Sequence, residues 1–198
     1  MSEVEQIEEN LKKLKKLGVS ETEIIKRYEN KILSLKKGEL SYVFIKNIKG
    51  ADVKAHEKAI IESKNLKWNY IFARFVEGAD IKAHGNVVIE SKNAMWNYSF
   101  AHEIEGADIK AHGKAVIESK EPEWNYYFAR DVKGADVMAH GRVIIESKDS
   151  RVNDWFKEDF EDEYKILKGN NLIDNAYNFI DDALDEMIEE NKSMQKRS

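Results

Sequence analysis

The sequence predicts an all-α protein built from tandem helical hairpins. Three observations support this: a 28-residue repeat, apolar residues at helical spacing, and helix-capping residues at the repeat junctions. Three copies, "WNYIFARFVEGADIKAHGNVVIESK", "WNYSFAHEIEGADIKAHGKAVIESK" and "WNYYFARDVKGADVMAHGRVIIESK", begin at Trp68, Trp96 and Trp124. A less similar copy begins at Leu40, and another copy, only weakly similar, begins at Val152. Repeats of this length are typical of helical arrays, in which each unit buries its apolar face against its neighbours.

The segment after each "GAD" is predicted to form the second helix of a hairpin, here called the B helix. Asp108 precedes it as an N-cap that can accept the amide hydrogens of the first turn. Apolar and small residues recur at helical spacing, which places them on one face. They are Ile109, His112, Ala115, Val116 and Ser119.

The segment "WNYYFARDV" is predicted to form the first helix of a hairpin, here called the A helix. Pro122 fits its first turn, where the missing N–H is harmless. Gly134 then supplies a left-handed stop, as do Gly50, Gly78 and Gly106 in other copies. The residues that share one helical face are Trp124, Phe128, Ala129 and Val132.

The alternative fold is a β-solenoid. From Trp96 to Ile104, every second residue is aromatic, histidine or apolar, as on a half-buried strand. A helical interpretation also places a glycine inside each later B helix, at a cost of ~1 kcal/mol relative to alanine. Cap residues at the junctions, in place of hairpin-turn signals, favour helices. The glycines concerned are Gly85, Gly113 and Gly141.

The repeats occupy residues 40–150, and both ends are predicted to be helical caps, over 1–39 and 151–198. Residues 3–17 form an amphipathic Glu/Lys helix ending at Gly18, and "SETE" at 20–23 is a capping box opening a helix to about Lys37. The C-terminal cap is acidic on one face. Its apolar face comprises Ile173, Tyr177, Ile180, Leu184 and Ile188.

The unit "ADIKAHGKAVIESKEPEWNYYFARDVKG" resembles short tandem repeats of many bacterial and phage proteins of unknown function. Those repeats are usually read as HEAT-like helical hairpins. The resemblance covers about residues 40–150. It implies an α-solenoid, and it implies no activity, cofactor or catalytic residue.

Composition excludes several function classes. The chain has no cysteine, which excludes disulfides, thiolate metal sites and a cysteine nucleophile. No nucleophile elbow, P-loop, dinucleotide-binding or HExxH motif occurs, and near-identical repeats lack the asymmetric roles that catalysis needs. We therefore expect no enzyme activity and no cofactor. A charged N-terminus without a long apolar run predicts a cytoplasmic protein that does not contact a membrane.

Residues at equivalent positions of successive repeats form sets, here called columns. Several columns contain chemically active side chains. We expect the histidine column to fill the seam between repeats and not to hold a metal, because stacked helices lie ~8–10 Å apart whereas zinc ligands nearly touch. It comprises His56, His84, His112 and His140.

Two further columns are oppositely charged. We expect an ion-pair ladder between them, and the alternative is a basic stripe on an open face. One column contains Arg74, His102 and Arg130, and the other contains Glu62, Glu90, Glu118 and Glu146.

The "WNY" triplets point to a recognition surface. We expect the tryptophans to be apolar wedges between hairpins, and the polar neighbours to contact a protein partner. The candidate binding residues are Asn69, Asn97, Asn125, Tyr127, Arg74, His102 and Arg130.

Nucleic acid is the alternative partner, because such residues can stack on and hydrogen-bond bases. Lys54, Lys82 and Lys110 would then contact phosphates. Charge weighs against this, because residues 1–152 carry 26 basic and 24 acidic side chains, whereas a phosphate-tracking groove needs a positive excess.

The C-terminal segment is strongly acidic, with 3 basic and 13 acidic side chains over residues 153–191. We expect a solvated cap, and the alternative is a surface that mimics nucleic-acid phosphates. The candidate acidic surface comprises Asp154, Glu158, Asp159, Glu161, Asp162 and Glu163.

Together these features predict a non-catalytic module that engages another protein. A phage or mobile-element factor that binds or inhibits host defence machinery is a role consistent with the resemblance. A nucleic-acid-binding helical repeat protein is the alternative.

Overall fold

A computed structural model describes residues 3–169 and the single positions 173, 180 and 184. These residues form helices and turns and contain no strand, so the β-solenoid alternative is wrong for the described part. Residues 161–169 are also helical. The named helices are α1 (Glu3–Lys16), α2 (Glu21–Ser34), α3 (Gly38–Asn47), α4 (Val53–Glu62), α5 (Leu66–Phe75), α6 (Ile81–Ser91), α7 (Ala94–Glu103), α8 (Ile109–Ser119), α9 (Pro122–Asp131), α10 (Val137–Ser147) and α11 (Ser150–Asp159).

The repeats alternate between A helices (α3, α5, α7, α9 and α11) and B helices (α4, α6, α8 and α10), as predicted. Each B helix follows an aspartate N-cap, which confirms that prediction: the Asp108 carboxylate accepts a hydrogen bond from Ala111 N–H at 3.0 Å. Pro122 is the first residue of α9, as predicted. The caps of α5 and α7, Asn65 and Asn93, were not anticipated.

The two turns of each repeat use different left-handed residues. The predicted left-handed glycine follows α3, α5, α7 and α9, with Gly134 at φ +89°. The turn after each B helix is left-handed at the lysine of "ESK", such as Lys120 at φ +57°. A β-carbon disfavours this conformation by roughly 1–2 kcal/mol, and the sequence pattern did not reveal it.

The glycines inside the B helices are explained by close packing against the next A helix. A β-carbon at Gly141 would lie 2.5 Å from the Phe156 ring and 2.7 Å from Leu167. The helices therefore contain glycine because a neighbouring side chain occupies that space. This contact offsets the low helix propensity of glycine.

The N-terminal cap follows the prediction closely. The helix expected over 3–17 ends at Lys16, and Gly18 is left-handed at φ +80°. The Ser20 hydroxyl accepts from Glu23 N–H at 3.2 Å, which confirms Ser20 as the N-cap of α2, although α2 ends at Ser34 and not near Lys37.

The C-terminal stripe is described at three positions only. These residues are helical and each is more than half exposed: Ile173, Ile180 and Leu184. Tyr177 and Ile188 lie outside the described residues. Within the described part, no helix combines the length and apolarity needed to cross a bilayer.

The core contains one phenylalanine per repeat. These side chains are fully buried, and the ring of Phe128 stacks on that of His140 at a centroid distance of 4.7 Å. A helices contact the neighbouring A helices, and B helices the neighbouring B helices. Each hairpin thereby buries its apolar face against the next. The equivalent phenylalanines are Phe44, Phe72, Phe100, Phe128 and Phe156.

Candidate functional site

The asparagines of the "WNY" triplets are buried core residues, which corrects the prediction that they contact a partner. Asn69, Asn97 and Asn125 are each 0% exposed. The reason is hydrogen bonding across helices: Asn97 Nδ2 donates to the carbonyls of Val88 on α6 and Asn93 at the start of α7. One amide thus satisfies acceptors from two helices, and its Oδ1 remains for a third.

That third helix supplies a histidine. His112 Nδ1 on α8 lies 2.8 Å from Asn97 Oδ1. Because two carbonyls fix the orientation of the amide, Oδ1 must accept and Nδ1 of the imidazole must donate. The same bond joins His84 to Asn69 at 2.8 Å and His140 to Asn125 at 2.7 Å. The repeats are therefore tied together by a buried Asn–His network.

Burial keeps this histidine column neutral. Desolvation lowers the pKa of His112 and of His140 to about 4 in each case. The prediction that the column fills the seam between repeats agrees with its burial. No group of three or more His, Asp or Glu residues in the described part could hold a metal ion.

The Arg/His column is exposed, but its partners differ from those predicted. Arg74 on α5 pairs with Glu103 on α7, and Arg130 pairs with Asp131 beside it at 2.6 Å. The predicted Glu ladder is therefore wrong as to partners. Glu62 and Glu118 instead lie near lysines, including Lys92 Nζ at 2.9 Å from Glu118.

These carboxylates also accept hydrogen bonds from tyrosines of the preceding A helix. Tyr70 Oη donates to Glu103 at 2.7 Å, and Tyr98 Oη to Asp131 at 2.9 Å. Burial and the bond to Asp131 raise the pKa of Tyr98 to about 12. A tyrosine–carboxylate bond thus links one A helix to the next, a pairing 33 residues apart that the repeat period did not reveal.

Half-buried aromatic rings extend along these A helices. Each tyrosine ring contacts a tryptophan of the next A helix, with centroids 5.6 Å apart for Tyr70–Trp96 and for Tyr98–Trp124. The tryptophans are thus wedges, as expected, but only partly buried. Tyr127 bridges this row, because its ring lies within 6.5 Å of four aromatic rings.

Arginine and histidine side chains cover the row. The Arg130 guanidinium lies 5.1 Å from the ring centroids of both Tyr126 and Tyr127, and His102 stacks on Tyr98 at 5.5 Å. We call this surface the aromatic–arginine face. It comprises Tyr70, Arg74, Phe75, Trp96, Tyr98, His102, Trp124, Tyr126, Tyr127, Arg130, Arg151 and Trp155.

The acidic candidates lie on α11 and the helical residues that follow it. Asp154, Glu158, Glu161 and Asp162 are exposed, and Glu163 is half-buried. Asp159 is exposed but has a structural partner, because it accepts the Tyr126 hydroxyl at 2.6 Å. Most of these carboxylates are therefore solvated, whereas that of Asp159 contacts the preceding A helix.

Comparisons of the chain with protein-family models, with curated proteins and with solved structures gave no match.

Proposed function

We propose that this chain is a non-catalytic α-solenoid that binds another protein through the aromatic–arginine face. The observation that carries the proposal is the composition of this face. Tyrosine, tryptophan, phenylalanine and arginine are enriched at protein–protein interfaces, and tryptophan, tyrosine and arginine dominate their binding hot spots.

Exposure of the face supports this role. The Phe75 side chain is 62% exposed. Arg74 lies 5.2 Å from the Phe75 ring, so apolar and cationic surface are adjacent. A partner that covers this patch would remove apolar area from water at a gain of about 25 cal/mol per Å².

Charge on the face favours a protein over a nucleic acid. Arg74 and Arg130 are each paired with a carboxylate. Paired cations release few counterions from a phosphate backbone, which is the main source of nucleic-acid affinity. The resemblance of the repeats to those of phage proteins supports host or defence machinery as the source of the partner.

Capture with matched variants tests the proposal. Tagged wild-type chain, Arg74→Glu/Arg130→Glu and the B-helix control Lys58→Glu/Arg142→Glu are incubated with nuclease-treated extract of the native host. We expect a stoichiometric protein with the wild type and the control, lost with the face variant. Absence of any such protein, or equal capture by all three, contradicts the proposal.

The nucleic-acid alternative is measured in parallel with labelled RNA and DNA at low salt. A salt-dependent gel shift that the face variant abolishes would overturn the protein proposal. Circular dichroism of each variant verifies that the helices are retained.

A further inference from the structure

Glutamates of the first hairpins occupy a position that is glycine in later repeats. Glu57 lies on α4 at the position equivalent to Gly85 on α6 and Gly113 on α8. Its side chain is buried, at 4% exposure. Glu29 on α2 lies at the same position, one repeat length before Glu57. Helices α2 and α4 therefore carry a carboxylate at this position, whereas α6 and α8 carry a glycine.

The Glu57 carboxylate has three neighbours on two helices. Oε1 accepts from the Asp80 backbone N–H at 2.6 Å and lies 3.5 Å from His84 Nε2, while Oε2 accepts from Lys54 Nζ at 2.8 Å. Glu29 repeats the pattern with Asp52 N–H at 2.7 Å and His56 Nε2 at 3.6 Å. The seam between B helices therefore contains a carboxylate-binding arrangement used by the chain's own side chains.

The same neighbours are present beside Gly113, without the carboxylate. Asp136 N–H has no acceptor in the described part of the chain, and Lys110 stands at the position of Lys54. His140 is 1% exposed, and its Nε2 lies 3.4 Å from the β-carbon position of Gly113. No hydrogen bond to that nitrogen forms among the described residues, and the equivalent Nε2 of His112 is buried and unpaired.

The β-carbon position of Gly113 is itself crowded, at 3.2 Å from the Phe128 ring, and the open space lies beside it. A cleft of about 450 Å³ reaches Gly113, Phe128, Asp136 and His140, with Lys110 at its edge. The side chain of Asp136 caps its own helix by accepting from Ala139 N–H at 3.0 Å, as Asp80 does beside Glu57. Because the Asp136 carboxylate is bound to Ala139 N–H, the backbone N–H of Asp136 remains available to the carboxylate of a ligand.

We propose that the cleft beside Gly113 binds a carboxylate group from a ligand, at the place that Glu57 occupies in the earlier repeat. The carboxylate would accept from Asp136 N–H and Lys110, and face His140 Nε2. It comes either from a free small carboxylate or from an acidic side chain of a protein. The site lies on B helices, so it goes beyond the proposed function of the aromatic–arginine face.

Two donors, and not the imidazole, would hold the carboxylate. The Nδ1–H tautomer leaves Nε2 as an acceptor, and a carboxylate oxygen is also an acceptor, so the hydrogen bonds come from Asp136 N–H and Lys110. Glu57 is held in the same way by Asp80 N–H and Lys54 while it lies 3.5 Å from His84 Nε2. The other charged groups at the cleft are Asp136, Lys110 and Lys114.

An NMR titration of the full chain tests the site. The probes are acetate, an amide-capped glutamate (N-acetyl-glutamic acid α-amide) and, as a neutral control, acetamide. We expect saturable shifts of the Asp136 amide and the His140 imidazole with carboxylates and none with acetamide. Saturation by acetate alone identifies a free anion, and saturation by the glutamate derivative identifies a protein side chain. Absence of saturation with both overturns the proposal.

A matched pair of variants locates the binding. Gly113→Glu supplies the carboxylate internally and should abolish the shifts, whereas Gly85→Glu, the same change one repeat earlier, should preserve them. Shifts that persist in Gly113→Glu overturn the proposal. Should Gly113→Glu not fold, Glu57→Gly provides the reciprocal test, because it should create acetate-dependent shifts at the Asp80 amide. Loss of this site with partner capture intact leaves the proposed function standing.

Discussion

Asn97 and His112 form a buried hydrogen bond of 2.8 Å that joins an A helix to the following B helix. The amide of Asn97 also donates to Val88 O at 3.0 Å on the preceding B helix. One side chain thus connects three consecutive helices. A buried network of this kind is stabilising only when every member has its partner.

Asn97→Ala should lower the free energy of unfolding by more than about 2 kcal/mol, because it leaves buried donors and acceptors without partners. Urea denaturation followed by circular dichroism measures the change. The control is Asn86→Ala, at an exposed position of α6, which should alter stability by less than about 0.5 kcal/mol. Similar losses for the two variants would contradict a special role for Asn97.

The first copy provides a natural test of the same network. Ser41 stands where later repeats have asparagine, and both Ser41 Oγ and His56 Nδ1 are buried without a hydrogen-bond partner. Ser41→Asn should supply the missing acceptor and raise the free energy of unfolding by about 1 kcal/mol. Ser41→Ala, which supplies no acceptor, serves as the control. A loss of stability in Ser41→Asn would show that the larger side chain does not fit.

The buried histidines should make stability dependent on pH. The pKa of His112 and that of His140 are lowered to about 4 from 6.5. The unfolded chain therefore binds protons that the folded chain does not, so their full contribution is present above about pH 6.5 and falls as the pH drops towards 4. Each histidine should contribute about 1.4 kcal/mol per pH unit in this window.

Two histidine variants test whether His112 is a source of this pH dependence of stability. His112→Gln should reduce the pH dependence of the unfolding free energy between pH 6.5 and 4. His102→Gln, which changes an exposed residue, should leave the slope close to that of the wild type. Equal slopes in the two variants would exclude His112 as a source of the acid sensitivity.

Lys120→Gly should stabilise the chain by about 0.5–1 kcal/mol, because glycine adopts the left-handed turn without the β-carbon penalty. Lys120 lies at φ +57°, directly after α8. The control, Lys114→Gly, lies inside the same helix and should cost about 1 kcal/mol. Thermal unfolding of the two variants should therefore shift in opposite directions. A shift in the same direction would mean that the turn conformation is not the determining factor.

The local elements were predictable because their signals are local. Asp108, Pro122 and Gly134 mark helix starts and turns through the conformational preferences of single residues. The 28-residue period then indicated which residues occupy equivalent positions. These features determined the helices, their order and the alignment of the columns.

Tertiary packing decided which columns face inward. Asn97 lies beside Trp96 and Tyr98 in sequence, yet it is fully buried while its neighbours are half-buried. Its position depends on carbonyls and an imidazole contributed by two other helices, and no local preference encodes those contacts. The pairing of Arg74 with Glu103 across 29 residues likewise depends on how neighbouring A helices pack. Period and capping therefore specified the repeat unit, whereas helix packing set its buried network and its open face.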